Sequence, residues 1–151
     1  MRAVVQRVSR AQVRVDGVAV SSIGPGLCAF VGVEKGDTEA DVAALADKLA
    51  GLRVFSDPEG RMNLDIYAVG GSLLVVSQFT LAADLRRGRR PSFDRAAPPE
   101  EAERLLQILV DRLRSEGLSV ATGVFGAVME VDLVNQGPVT FVIATSSGRV
   151  V

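Results

Sequence analysis

The 151-residue chain carries 17 basic and 18 acidic residues, a formal net charge of -1, and is 48% hydrophobic. That balance fits one domain with its own core and excludes a protein that coats nucleic acid through bulk charge. With no histidine and a single cysteine, the chain cannot build a Ser-His-Asp or Cys-His pair, an HExxH metal site or an intrachain disulfide, so any catalysis must rest on carboxylates, hydroxyls, backbone groups or the substrate itself.

In chain order, Ala3 to Val8 and Ala11 to Val15 read as strands, the second with Val13 and Val15 alternating against Gln12 and Arg14. Asp16-Gly17 is a strong hairpin turn that returns the chain through Val18 to Ser22. "GLCAFVGV" is apolar on both faces and suits a buried central strand, with Cys28 as a small core residue. The longest apolar stretch, Leu27 to Val33, is far short of the roughly 18 residues of a membrane span. Gln6-Arg7 breaks the N-terminal run too early for a signal peptide, so a cytoplasmic location is expected.

Thr38 followed by Asp41 starts a helix to Ala50 as a capping box, with Val42, Leu45, Ala46 and Leu49 on one face. "SDPEG" (Ser56 to Gly60) is a turn, and Gly71 to Thr80 returns to strand character. Pro98-Pro99 opens a second helix with a stripe of Ala102, Leu105, Leu106, Leu109 and Leu113, closed by Gly117. Val128 to Leu133 and Val139 to Ala144 read as the last strands, and "TSSGRVV" (145–151) as a mobile tail. The expected class is α+β: antiparallel or mixed sheets packed in layers with two main helices, one domain over 1–151.

Chemistry is expected in three places. "SQFTLAAD" places Ser77, Gln78 and Thr80 where a hydrophobic strand meets a polar loop, a position that suits either a site or a strand end satisfying its own backbone. "LRRGRRPSF" clusters Arg86, Arg87, Arg89 and Arg90, which reads equally as a phosphate contact or as a solvated loop. "NQGPVTF" sets Gly137-Pro138 inside a strand-like segment, either as a turn between two strands or as a working part. Asp57, Glu59, Asp65 and Asp84 fall into no metal or glycosidase spacing, so neither a metal nor another cofactor is expected.

Together "MRAVVQRVSRAQV", "GVEKGD", "RVFSDPEGRMNLD", "GGSLLVVSQFTLAAD", "RPSF" and "VNQGPVTF" resemble D-aminoacyl-tRNA deacylase, in order and along nearly the whole chain. "SQFTL" with a distant "NxGPVT" is a specific combination; Gln136 stands where acidic Asp is common in the family.

The resemblance implies a homodimer that hydrolyses the ester joining a D-amino acid, or glycine on a mischarged tRNA, to the terminal adenosine. It implies that Gly137-Pro138 is cis and enters the partner's pocket, where its carbonyls accept the substrate amino group and an L-side chain is excluded sterically. It further implies that N–H groups around Gln78, Phe79 and Thr80 stabilise the oxyanion while the ribose 2′-OH helps activate water, and that Arg7 orients the Gly-Pro carbonyls. Phe125 and Met129 are expected to line the adenosine pocket, and the arginines to grip the acceptor stem. Two rival readings remain at this level: a non-catalytic dimeric RNA-binding module, and a general esterase using Ser77 or Thr80, for which no G-x-S-x-G elbow is present.

Overall fold

In the computed structural model, which describes residues 1–86 and 88–151, the chain opens with one long strand, β1 (Arg2–Val15). The two strands expected here are thus a single one. The polar residues around Arg7 and Ser9 coincide with register shifts rather than with a turn. Asp16 (φ 50°) and Gly17 (φ 77°) turn the chain into β2 (Val18–Ile23), as the primed hairpin geometry requires.

β3 (Gly26–Gly32) is followed by α1 (Glu39–Gly51) and the small hairpin β4 (Phe55–Ser56) and β5 (Met62–Leu64). The chain then enters β6 (Ser72–Ser77), which runs parallel to β3. After a 3-10 turn at Phe79–Ala82, α2 (Pro99–Ser115) leads to β7 (Ser119–Thr122), parallel to β6. The last elements are β8 (Met129–Ser146) and β9 (Arg149–Val150).

One mixed sheet of seven strands therefore runs β7-β6-β3-β1-β8-β9, with β2 paired to the far half of β1. Both helices lie in crossovers between parallel neighbours, the connection that parallel strands demand. The α+β class, mixed sheet, two main helices and single domain agree with expectation.

β3 is buried along almost its whole length, and its glycine ends are packing requirements. A Cβ on Gly26 would sit 1.8 Å from the Ser72 carbonyl oxygen. The core lies between the sheet and the helices, where Leu45 and Leu49 of α1 meet Leu105, Leu109 and Leu113 of α2. Each such leucine contributes about 1.5–3 kcal/mol relative to leaving it in water. Arg104–Glu39 (2.7 Å) and Arg112–Asp47 (2.6 Å) tie the helices together along their exposed edge.

A second cluster holds Val8, Val13, Cys28, Leu74 and Val76. Burial pushes the Cys28 thiol up to about 12, so this cysteine is a core residue rather than a reactive thiolate.

Three further expectations are corrected. The stretches Val128 to Leu133 and Val139 to Ala144 belong to one strand, because Asn135 lies opposite Val8 and Thr140 opposite Gln6. Residues 136–139 bulge out against Arg7 without breaking the pairing on either side. The strand from Gly71 ends at Ser77, and Phe79 and Thr80 belong to the 3-10 turn. The 145–151 stretch is structured: Thr145 and Ser146 pair with Val150 and Arg149, and Val151 N–H donates to the Ala144 carbonyl. Among the described residues, no helix is long and apolar enough to cross a membrane.

Candidate active site

β6 delivers Ser77 to the edge of a cavity of about 470 Å³, and Gln78 and Phe79 continue its rim. The walls are Val31 of β3 and Val33 just beyond it, Val76 of β6, Met129 and Val131 of β8, Phe125 of the β7–β8 connection, and Ala102 and Leu106 of α2. Five expected site residues, Ser77, Gln78, Phe79, Phe125 and Met129, are thereby gathered around one space, whereas Thr80 is not among the residues lining it. Among the described residues no ionisable group lines the cavity, which is apolar in its depth and polar at the Ser77–Phe79 rim.

The backbone at that rim has a definite donor pattern. Gln78 N–H donates to the Val31 carbonyl (2.8 Å), which extends the β3–β6 pairing by one residue and removes this donor from any chemistry. Leu81 N–H donates to the Gln78 carbonyl (3.2 Å) and Ala83 N–H to that of Thr80 (3.1 Å). The intervening N–H groups of Phe79 and Thr80 open the 3-10 turn and meet no acceptor among the described residues. Of the three donors expected around Gln78, Phe79 and Thr80, the turn leaves the last two free.

The Gln78 side-chain amide donates to Thr80 Oγ1 at 2.5 Å. The hydroxyl is thus held as an acceptor by an amide rather than activated by a base.

Gly32 sets how closely β3 approaches this turn. A Cβ there would lie 2.7 Å from the Gln78 carbonyl oxygen and 3.1 Å from Leu81 Cβ. On the opposite wall a Cβ on Gly123 would lie 2.6 Å from Met129 Sδ, a contact that the flexible methionine side chain can relieve. Neither glycine carries a turn signature in the sequence; only the close approach identifies them.

Gly137-Pro138 is cis and exposed, and it is not among the residues lining this chain's own cavity. Arg7 Nε donates to the Gln136 carbonyl (2.9 Å) and Nη1 to the Val54 carbonyl (2.5 Å). Arg7 therefore holds the carbonyl just before Gly137 and ties the bulge to the segment entering β4. Gly137 has φ 145°, and a Cβ on it would meet Val139 Cγ2 at 2.6 Å and Arg7 Nη2 at 3.2 Å.

Asn135, to which the sequence reading assigned no role, closes the bulge from inside. Its Oδ1 accepts Val139 N–H (2.7 Å), while Nδ2 donates to Thr140 Oγ1 (2.9 Å) and the Val139 carbonyl (3.3 Å). The signal available was an asparagine just before a Gly-Pro, since Asn often satisfies backbone a few residues on.

The arginine cluster divides. Arg86 Nε donates to both carboxylate oxygens of Asp84 (2.9 and 3.1 Å), and Nη2 also reaches Oδ2. The Arg86 guanidinium holds the Asp84 carboxyl well below the usual carboxylate range. Arg86 is thus paired within its loop. Arg89 and Arg90 are exposed, and Arg87 lies outside the described residues.

Asp57 and Asp65 serve their own turns, and Glu59 is exposed. Asp57 accepts the N–H groups of Glu59 and Arg61, and Asp65 that of Ala68. Among the described residues, no group of three or more His, Cys, Asp or Glu could hold a metal ion.

Comparison with known proteins matches this arrangement to one family. Residues 4–144 match the family model described as D-Tyr-tRNA(Tyr) deacylase. The chain is 58% identical over 147 residues to a D-aminoacyl-tRNA deacylase of Geobacter sulfurreducens, covering 97% of each chain. It is 59% identical over 143 residues to one of Symbiobacterium thermophilum, covering 95% of each. Among solved structures, the c-Myc DNA Unwinding Element Binding Protein superposes with a TM-score of 0.92 at 37% identity, over 97% of this chain and 100% of that one. A probable eukaryotic D-amino acid tRNA deacylase shares the fold, with a TM-score of 0.77 at 17% identity over 93% and 97%. The chain belongs to the D-aminoacyl-tRNA deacylase family, hydrolases of the aminoacyl ester bond.

Proposed function

We propose that this chain hydrolyses the ester between a D-amino acid, or glycine on a mischarged tRNA, and the terminal adenosine of the tRNA, working as a homodimer in the cytoplasm. The observation that carries the reading is the pair of N–H groups on Phe79 and Thr80 that meet no acceptor among the described residues, the first on the rim of a cavity without ionisable walls and the second next to it in the same 3-10 turn. Fixed donors of this kind stabilise the oxyanion of an acyl-transfer intermediate, and losing one elsewhere costs on the order of 10²- to 10³-fold in rate.

The terminal adenosine occupies the cavity against Phe125 and Met129, with its ester carbonyl at Phe79 and Thr80. The ribose 2′-OH of the substrate assists the attacking water, so the absence of a histidine base is no obstacle. Ser77 and the Gln78 side chain position the substrate and the Thr80 hydroxyl rather than forming a covalent intermediate.

Gly137-Pro138 completes the site from the partner subunit. Its carbonyls accept the substrate α-amino group, and its backbone leaves no room for an L-side chain. Support comes from its exposure, its separation from the chain's own cavity, and the way Arg7 and Asn135 hold residues 135–139 outward. Selection by exclusion predicts indifference to which D-side chain is attached. The exposed arginines of the 86–90 loop contact the acceptor stem.

The test is hydrolysis of matched D-Tyr-tRNA and L-Tyr-tRNA by the purified protein with chelator present. Rapid loss of the D-ester alone is expected. Equal loss of both would favour a general esterase, and tRNA binding without turnover a non-catalytic module.

A further inference from the structure

We propose that the exposed Phe79–Phe93 ring pair, together with Arg89 and Arg90 of the loop leading to Phe93, is a stacking platform for the nucleotide that precedes the terminal adenosine in a single-stranded RNA end. The inference rests on the functional reading above and extends the site beyond its cavity.

The two rings meet edge to face, with centroids 4.9 Å apart and planes at 63°. Phe79 is 57% exposed and Phe93 37% exposed, so each ring keeps part of its surface open to solvent while the rest is anchored in the fold. Phe79 belongs to the cavity rim whereas Phe93 does not line the cavity, so the pair continues the rim outward. A strand whose last nucleoside fills the cavity must leave across that rim, and its next base then meets these rings.

The platform is held in place although the loop beside it projects. Asp84 and Ser92 exchange backbone hydrogen bonds (2.8 and 3.1 Å), pinching the loop at its base immediately before Phe93. Beyond Phe93, Lys35 N–H donates to the Arg95 carbonyl (2.9 Å) and Ala97 N–H to the Val33 carbonyl (3.0 Å). Phe93 is thus anchored to the residues following β3, and Phe79 to the end of β6. Rigid aromatic faces of this kind lose little entropy when a base stacks on them.

Charge selects the occupant. Arg86 is neutralised by Asp84, whereas Arg89 and Arg90 are exposed and no carboxylate pairs with either among the described residues. Two partly open aromatic rings, with two uncommitted arginines in the loop that leads to one of them, suit a base joined to a phosphate. A second copy of this chain is the rival occupant.

The test compares binding of adenosine 5′-monophosphate, the dinucleotide C-A and the dinucleotide U-A to the full-length protein. C-A and U-A are each expected to bind roughly 5- to 150-fold more tightly than the mononucleotide, the range set by one base stacked on an aromatic ring. Phe93→Ala and Phe93→Leu should abolish that advantage and leave mononucleotide affinity within twofold, while Phe93→Tyr should keep it. Arg89→Ala combined with Arg90→Ala should reduce it and flatten its dependence on salt.

Equal affinity of the dinucleotides and the mononucleotide for the wild-type protein would overturn the platform. So would a Phe93→Ala variant that dissociates into monomers while keeping the dinucleotide advantage, since the rings would then belong to the contact between copies. Because D-Tyr-tRNA hydrolysis is measured on the same preparations, a working deacylase without a dinucleotide advantage sinks only this inference. A protein that fails to turn over the D-ester sinks the functional reading first.

Discussion

Arg7 reaches from β1 to the Gln136 carbonyl on the bulge of β8, Nε to oxygen 2.9 Å, and spends Nη1 on the Val54 carbonyl. One planar guanidinium thus fixes two backbone segments that no ladder hydrogen bond connects. Lysine cannot reproduce a forked donor of this kind. Arg7→Lys and Arg7→Ala are expected to lower D-Tyr-tRNA hydrolysis by at least about tenfold, since misplacement of a positioning group by about an ångström can cost 10²-fold. Discrimination against L-Tyr-tRNA should narrow as well. A variant with unchanged rates on both esters would mean that Arg7 is only structural.

Gly32 supplies a way to disturb the reaction without touching a side chain of the site. A methyl group there meets the Gln78 carbonyl oxygen at 2.7 Å, and backbone yields less readily than a flexible side chain. Gly32→Ala should shift the Phe79 and Thr80 donors and reduce kcat by about 10- to 100-fold, with a smaller change in KM. Steady-state kinetics on D-Tyr-tRNA, together with a melting curve to confirm folding, checks this.

The Thr80 hydroxyl accepts from Gln78 and has no base beside it, so its removal should be tolerated. Thr80→Ala is expected to retain activity within about tenfold, because the backbone donor survives the substitution. Mass spectrometry of the enzyme during turnover should detect no acyl adduct; finding one on Thr80 would reverse the assignment.

A cavity without ionisable walls also predicts the form of the pH profile. Between about pH 6 and 8, kcat for the D-ester should show no inflection from an enzyme group, because neither an imidazole nor a perturbed carboxylate lines the site. Chelator should leave the rate unchanged. A bell-shaped profile, or loss of activity on chelation restored by a metal, would require a different mechanism.

Asp41 links α1 to the C-terminal hairpin. Burial pushes its carboxyl up, but the N–H groups of Gly148 and Thr38 and the Thr38 hydroxyl together hold it below its ordinary value. A carboxylate depressed in the folded state contributes stability that is present above its unfolded value, near 3.9, and is lost as pH falls through the lower folded value. Stability should therefore drop on acidification below about pH 4, with less of a drop in Asp41→Ala. At neutral pH that variant should be about 1–3 kcal/mol less stable, because the N–H groups left behind lose their acceptor. Urea unfolding at pH 7 and pH 3 measures both effects.

Much of this architecture was legible in the residues. The spacing of Val42, Leu45 and Leu49 and the Thr38–Asp41 pair defined α1, and Pro98-Pro99 with the leucine stripe defined α2, because helix periodicity and capping are local. Strand continuity was not local. Gly137-Pro138 reads as a break, yet β8 runs through it because β1 offers partners on both sides and Arg7 occupies the gap. The short strands β4, β5, β7 and β9 were likewise missed, since two to four residues carry too little periodicity to stand out.

The same division holds for the site. Ser77, Gln78, Phe79, Thr80 and the Gly-Pro pair could be named from their motifs, and the lack of histidine turned attention to backbone chemistry. Which N–H groups are free was decided only when Val31 claimed that of Gln78, and which arginines are uncommitted only when Asp84 claimed Arg86. The need for glycine at 32 arises from a backbone atom that approaches across from the turn after β6, and no local pattern encodes that distance. The sequence by itself determined the composition, the family motifs and the helices, which depend on neighbours along the chain. Tertiary structure decided donors, clearances and charges, which depend on neighbours in space.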